Sequence, residues 1–150
     1  MGTRARVGIV RPDGSIISIY THWDGYPAHH APILLGHYDT PEKMGELLAL
    51  GDLSVLAENI GEKQDFDDRD HRDWCKSYGR DRGEKDCKAN LSPSTTAFEQ
   101  SAHDCGAEYV YLLDGGGWIY SEVPMYATQS FHYGELKIPA PRPDTISDPY

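Results

Sequence analysis

Two hairpin signatures, one near each end of the chain, constrain the fold more than any other feature of the sequence. Val7-Gly8-Ile9-Val10 is a short apolar run rich in β-branched residues, followed by Pro12-Asp13-Gly14 and then Ser15-Ile16-Ile17-Ser18-Ile19-Tyr20. This reads as strand, turn, strand, with Gly14 supplying the positive φ of the turn. Residues 108–113 and 118–122 flank Asp114-Gly115-Gly116-Gly117 and read as a second hairpin. The glycine run lacks the Gly-Lys-Ser/Thr ending of a phosphate loop and precedes a strand, so it is expected to be a hairpin tip.

Helix signals lie between the hairpins. Pro32 is expected to open a short helix reaching about Tyr38, because proline is tolerated in a first turn and not inside. Thr40 with Pro41 and Glu42 marks a second helix start, Met44, Leu47 and Leu48 share its apolar face, and Gly51 marks its end. Asp52 is expected to cap a further helical turn carrying Leu53, Val55 and Leu56. Ser92-Pro93 restarts a helix with Phe98, Ala102 and Cys105 on one face and Gly106 at its end. From 61 to 91 periodicity gives way to charge, so this stretch is expected to be a long irregular loop. The order β-β-α-α-loop-α-β-β predicts an α+β fold, an antiparallel sheet built from the two hairpins with helices packed on one face. Residues 1–138 form the expected single domain, and 139–150, with Pro139, Pro141, Pro143 and Pro149, an extended proline-rich tail.

A chain of 150 residues fits one domain with one real core. No apolar run approaches the ~20 residues that span a bilayer, and the N-terminal segment has no signal-peptide character. The formal charge of −10 argues against nucleic acid or anionic membrane as a partner, and favours a basic groove on another protein. The three cysteines are odd in number and widely spaced, which fits reduced thiols in a cytoplasm.

Three clusters have chemical potential. His22, Trp23, Asp24, Tyr26, His29 and His30, followed by His37 and Tyr38, gather imidazoles, a carboxylate and aromatics at a strand end. Such a group can bind a partner, move a proton or hold a metal, or can simply build a turn. His71, Cys75, Cys87, His103 and Cys105 are zinc-ligand types, but no Cys-x2-Cys knuckle joins them, and ordinary thiols are expected. Residues 76–88 carry Lys76, Arg80, Arg82, Lys85 and Lys88 against Asp81, Glu84 and Asp86, a local reversal of charge. Arg80 and Arg82, between Gly79 and Gly83, either clamp an anionic group or form an Arg–Asp–Arg–Glu lattice that fastens the loop. No nucleophile-elbow, zincin or Cys-His signature is present.

Tyr20-Thr21-His22-Trp23-Asp24-Gly25-Tyr26-Pro27, His37-Tyr38, Gly51-Asp52-Leu53-Ser54, Tyr78-Gly79-Arg80-Asp81-Arg82-Gly83-Glu84 and Glu108-Tyr109-Val110-Tyr111 resemble a group of small uncharacterised proteins encoded by tailed bacteriophages. The likeness covers most of residues 1–120 and leaves out the acidic stretch near 62–73 and the chain after 124. It implies a viral origin and the cytoplasm of an infected bacterial host, and carries no catalytic assignment. The leading expectation is a non-enzymatic accessory protein that binds and inhibits a host factor, in the manner of an anti-defence or anti-CRISPR protein. His22, Trp23, Asp24, Tyr26, His37, Tyr78, Arg80, Arg82 and Glu84 are its candidate binding residues, with no cofactor. The alternatives are a sponge for a nucleotide signal, with Arg80 and Arg82 on phosphate and Trp23 or Tyr26 on a base, and a small hydrolase using His22 and Asp24. Oligomerisation is left open.

Overall fold

The computed structural model describes residues 2–67 and 73–139. The N-terminal hairpin forms as its alternation requires: β1 (Ala5–Val10) pairs antiparallel with β2 (Ile16–Thr21), Ala5 opposite Thr21 and Val10 opposite Ile16. Gly14 turns the chain at φ 88°, and the Asp13 carboxylate accepts from the Ser15 amide and hydroxyl. Next come α1 (Pro27–His37), α2 (Pro41–Ala49), β3 (Leu53–Val55), β4 (Lys76–Ser77), α3 (Tyr78–Arg82), β5 (Asn90–Ser92) and α4 (Thr95–Asp104). The second hairpin is β6 (Tyr109–Asp114) with β7 (Gly117–Glu122), its two-residue tip Gly115-Gly116 at positive φ, and β8 (Gly134–Glu135) closes the edge.

These strands make one mixed sheet in the order β4-β3-β2-β1-β6-β7-β8, with β5 also on β2. The fold is α+β, but the sheet is not wholly antiparallel. The hairpins are joined by a parallel pairing of β1 with β6, and β2 pairs parallel with β3. The chain leaving α4 re-enters the sheet at the end where β1 begins, pinned by the Glu108 amide donating to the Arg4 carbonyl at 2.8 Å.

The helices also lie on both faces rather than one. Ala31, Leu34, Met44 and Leu47 of α1 and α2 pack with Ala5, Val7, Ile19, Tyr111 and Leu113. Phe98 and Ala102 of α4 pack with Ile16, Val110 and Leu112, the residues that strand alternation sends the other way.

Four local readings change. α1 starts at Pro27, with Pro32 inside it, because both prolines fit the same start signal. Residues 53–55 are a strand, since the Leu53 carbonyl accepts from the His22 amide and the Ser54 carbonyl from the Trp23 amide, both at 3.1 Å. The cap of α4 is Ser94, whose hydroxyl accepts from the Ala97 amide, while Ser92 sits in β5. The Thr40 cap of α2 forms as read. The stretch 61–91 is not one irregular loop, for it holds β4, α3 and part of β5. The proline-rich tail, apart from Pro139, lies outside the described residues. Among the described residues no helix is long and apolar enough to cross a membrane.

Candidate functional site

The strand β3 brings two of the sequence clusters together. On one side it carries the turn 22–26 through the two amide bonds just described. On the other, Leu53 pairs with Ser77, and the Tyr78 amide donates to the Asp52 carbonyl at 3.2 Å, which places α3 beside the same edge.

The turn is stiff. Asp24 takes a left-handed φ of 59°, the Gly25 amide donates to the Thr3 carbonyl at 2.8 Å, and the buried Tyr111 hydroxyl donates to the Gly25 carbonyl at 2.6 Å. A Cβ on Gly25 would fall 2.7 Å from the Thr3 carbonyl oxygen, so the close approach needs glycine. The turn displays Trp23 and Tyr26, 41% and 39% exposed. The Tyr26 hydroxyl donates to Asp24 at 3.1 Å, and His22 Nδ1 is bonded to the Tyr20 hydroxyl at 2.7 Å. His22 and Asp24 therefore have separate partners and form no acid–base dyad. Burial, then the Arg4 charge, lowers the His22 pKa, so the ring is neutral at neutral pH.

Of the other histidines, His37 is exposed at the end of α1 and takes no part in this cluster. His30 is buried beneath the turn, its Nε2 2.9 Å from Thr21 Oγ1 and its Nδ1 2.9 Å from His29 Nδ1. Burial first, then the neighbouring His29, pushes its pKa down to about 3.

The two arginines of α3 behave differently. Arg80 is consumed by the fold: Nε and Nη2 donate to the Asp81 carboxylate at 2.9 and 3.1 Å, Nη1 to the Ile60 carbonyl at 2.7 Å and Nη2 to the Cys75 carbonyl at 2.7 Å. Asp81 in turn accepts from the Ser77 amide at 2.8 Å and the Gln64 amide at 3.0 Å. Burial alone would raise the Asp81 pKa, but the Arg80 hydrogen bond and these amides outweigh it and hold the carboxyl below its ordinary value. For Arg80 the fastening lattice is the arrangement that forms, and a phosphate clamp is not. Arg82 pairs with Glu84 at the surface and lies over the Phe66 and Tyr78 rings, 4.5 and 4.8 Å from their centroids.

The thiols stand apart. Cys75 belongs to the α1/α2 core, bonded to the Ala57 backbone, whereas Cys105 packs on the α4 side of the sheet, and Cys87 donates to the Lys85 carbonyl. His71 lies outside the described residues. Among the described residues no three His, Cys, Asp or Glu side chains come together in a way that would hold a metal ion.

No family model, curated protein or solved structure matches this chain.

Tyr20, Arg4 and Arg6 carry no functional mark in the sequence analysis, and Asp52 is read there only as a helix cap. Asp52 fills the gap on the outer edge of β2 between β5 and β3, its carboxylate accepting from the Tyr20 amide at 2.9 Å. Burial raises its pKa, opposed by the Tyr20 amide and the Arg6 charge. The signal for Tyr20 was present: it stands near the end of β2, two residues before His22, and strand alternation carried one residue past Thr21 puts both on the same face.

Proposed function

We propose that the protein is a phage-encoded, non-enzymatic binding protein that inhibits a host factor, and that the turn 22–26 is its contact surface. What carries the reading is the presentation of Trp23 and Tyr26. Two large aromatics are held in water on a turn whose backbone is fixed by Thr3, Tyr111 and β3. A rigid aromatic pair loses little entropy on docking, and such residues are the usual anchors of an interface. The charge of −10 favours a basic surface on the partner and adds to the encounter rate. The separate pairing of His22 and Asp24 speaks against the hydrolase alternative. The resemblance to phage proteins supplies the host context, with antiviral defence as the proposed target.

The test is capture from host lysate with the wild type and with the Trp23→Ala/Tyr26→Ala double variant, which is expected to fold normally because both side chains are exposed. A stoichiometric protein retained by the wild type and lost by the variant supports the reading. A released small molecule with no protein partner overturns it, as does a partner held equally by both.

A further inference from the structure

The face of the sheet that carries α4 is covered only along part of its length. Phe98 and Ala102 lie over Ile16, Val110 and Leu112, and the helix stops at Cys105, with Gly106 turning the chain away at φ 72°. Beyond that end, Arg6 stands opposite Tyr20 in the β1–β2 register, and continuing the register sets Arg4 opposite His22. The alternation that buries Ala5 and Val7 under α1 and α2 directs Arg4 and Arg6 to this other face. The four side chains make a cross-strand tile of two guanidiniums, an imidazole and a phenol, with no carboxylate among them.

Arg6 is only 7% exposed. Its Nε donates to Ser18 Oγ at 3.0 Å and its Nη2 to the Ser18 carbonyl at 3.2 Å, while Nη1 meets nothing but the Cys105 sulfur at 4.0 Å. A guanidinium has five N–H donors, so its outer edge is under-used. Among the described residues neither Arg6 nor Arg4 forms an ion pair with a carboxylate. Arg4 reaches across Gly106, where a Cβ would sit 2.9 Å from its Nη1, and its charge acts on both Tyr20 and His22. Gathering two cations, one of them buried, without a carboxylate in direct contact is unfavourable. The carboxylate that feels the Arg6 charge, Asp52, accepts from the Tyr20 amide and, among the described residues, makes no ion pair with either arginine, so a ligand anion can take the place of a contacting counter-ion.

We propose that Arg4, Arg6, Tyr20 and His22 form a binding site for the phosphoryl group of a nucleoside phosphate, whose base stacks on Trp23. The planar forks of two arginines match phosphoryl oxygens in a way that point charges do not. In the tautomer in which the Tyr20 hydroxyl donates to Nδ1, the neutral His22 ring carries its proton on Nε2 as a further donor, and Tyr20 serves the site by orienting that ring. Trp23 meets the His22 ring edge-on at 4.8 Å between centroids and gives a planar surface next to the tile. The site replaces the Arg80–Arg82 clamp, in which Arg80 is tied to Asp81, Ile60 and Cys75. It shares Trp23 with the proposed protein contact, but its phosphoryl-binding arginines, Arg4 and Arg6, play no part in that contact.

The experiment is a titration of the full chain with ATP and, separately, with inorganic pyrophosphate. It is followed by calorimetry and by the NMR signals of the His22 ring, in the wild type, Arg4→Ala and Arg6→Lys. Arg4 is exposed, so its variant keeps the fold even if Arg6→Lys does not. The expected result is binding of both probes, tighter for ATP, with shifts of the His22 ring and about a tenfold loss of affinity in Arg4→Ala, the size expected for one charge-assisted contact. No binding at millimolar concentrations, or binding unchanged in Arg4→Ala, overturns the site. Equal affinity for pyrophosphate and ATP overturns the stacking on Trp23.

Discussion

Arg80 and Arg6 are both arginines drawn out of water, and the protein treats them in opposite ways. Arg80 has a bidentate carboxylate in Asp81 and two backbone carbonyls, which use four of its five N–H donors. Arg6 has one serine, supplying a hydroxyl and a carbonyl, and a distant sulfur. A buried charge with its counter-charge built in acts as a fastener. A buried charge with no carboxylate in contact, such as Arg6, keeps donors open to an incoming anion. The first arrangement explains how a stretch that looks irregular in sequence is ordered: Arg80 ties α3 to Ile60 and Cys75, and Asp81 ties it to Gln64 and Ser77.

The comparison makes its largest prediction at Arg80. Arg80→Met leaves the Asp81 carboxylate buried and unpaired, and should lower stability by about 3 kcal/mol, a drop of roughly 10 °C in Tm for a chain of this size. Arg82→Ala, on an exposed pair of the same helix, should cost less than about 1 kcal/mol. Thermal melts followed by circular dichroism check both, and equal losses would break the distinction between fastener and surface pair.

A smaller effect comes from His30, a third way of housing a titratable group: buried neutral. Its folded pKa of about 3 lies below the unfolded value of about 6.5, so above pH 6.5 neither state takes a proton there. Below it the unfolded chain is protonated first, and stability is lost as pH falls towards 3, by up to about 1.4 kcal/mol per unit. His29, which faces it and is also lowered by burial, adds in the same direction, while Asp81 matters only at more acid pH. Urea unfolding should therefore show roughly 2 kcal/mol less stability at pH 5 than at pH 7. In His30→Gln that difference should shrink.

Much of this was legible before the structure, and the parts that were not share a cause. The hairpins were readable because turn residues and strand alternation are local, and the α2 start because Thr40, Pro41 and Glu42 stand together. The parallel β1–β6 junction joins residues about a hundred positions apart with no local mark, so the sheet read as antiparallel. Three residues of β3 are too few for alternation to show, and they took on the look of a helical turn. Of the site, His22, Trp23 and Tyr26 stood out by density, whereas Arg4 and Arg6 come into view only when the hairpin register is drawn and the α4 face is known to end at Cys105. Arg80 was visible as a cation, but its role depends on Ile60, Gln64 and Cys75, which sequence alone does not bring near.

The central claim, that one buried arginine is spent on the fold and the other is kept for an anion, is tested most directly by melting Arg80→Met and Arg6→Met with and without pyrophosphate. The account predicts that Arg80→Met melts far below the wild type yet is still stabilised by the anion. Arg6→Met, which replaces a charge that has no carboxylate in contact by an apolar side chain of similar shape, should melt within about 1–2 kcal/mol of the wild type and lose the anion's stabilisation. Equal losses in Tm, or a pyrophosphate response that survives in Arg6→Met, would contradict it.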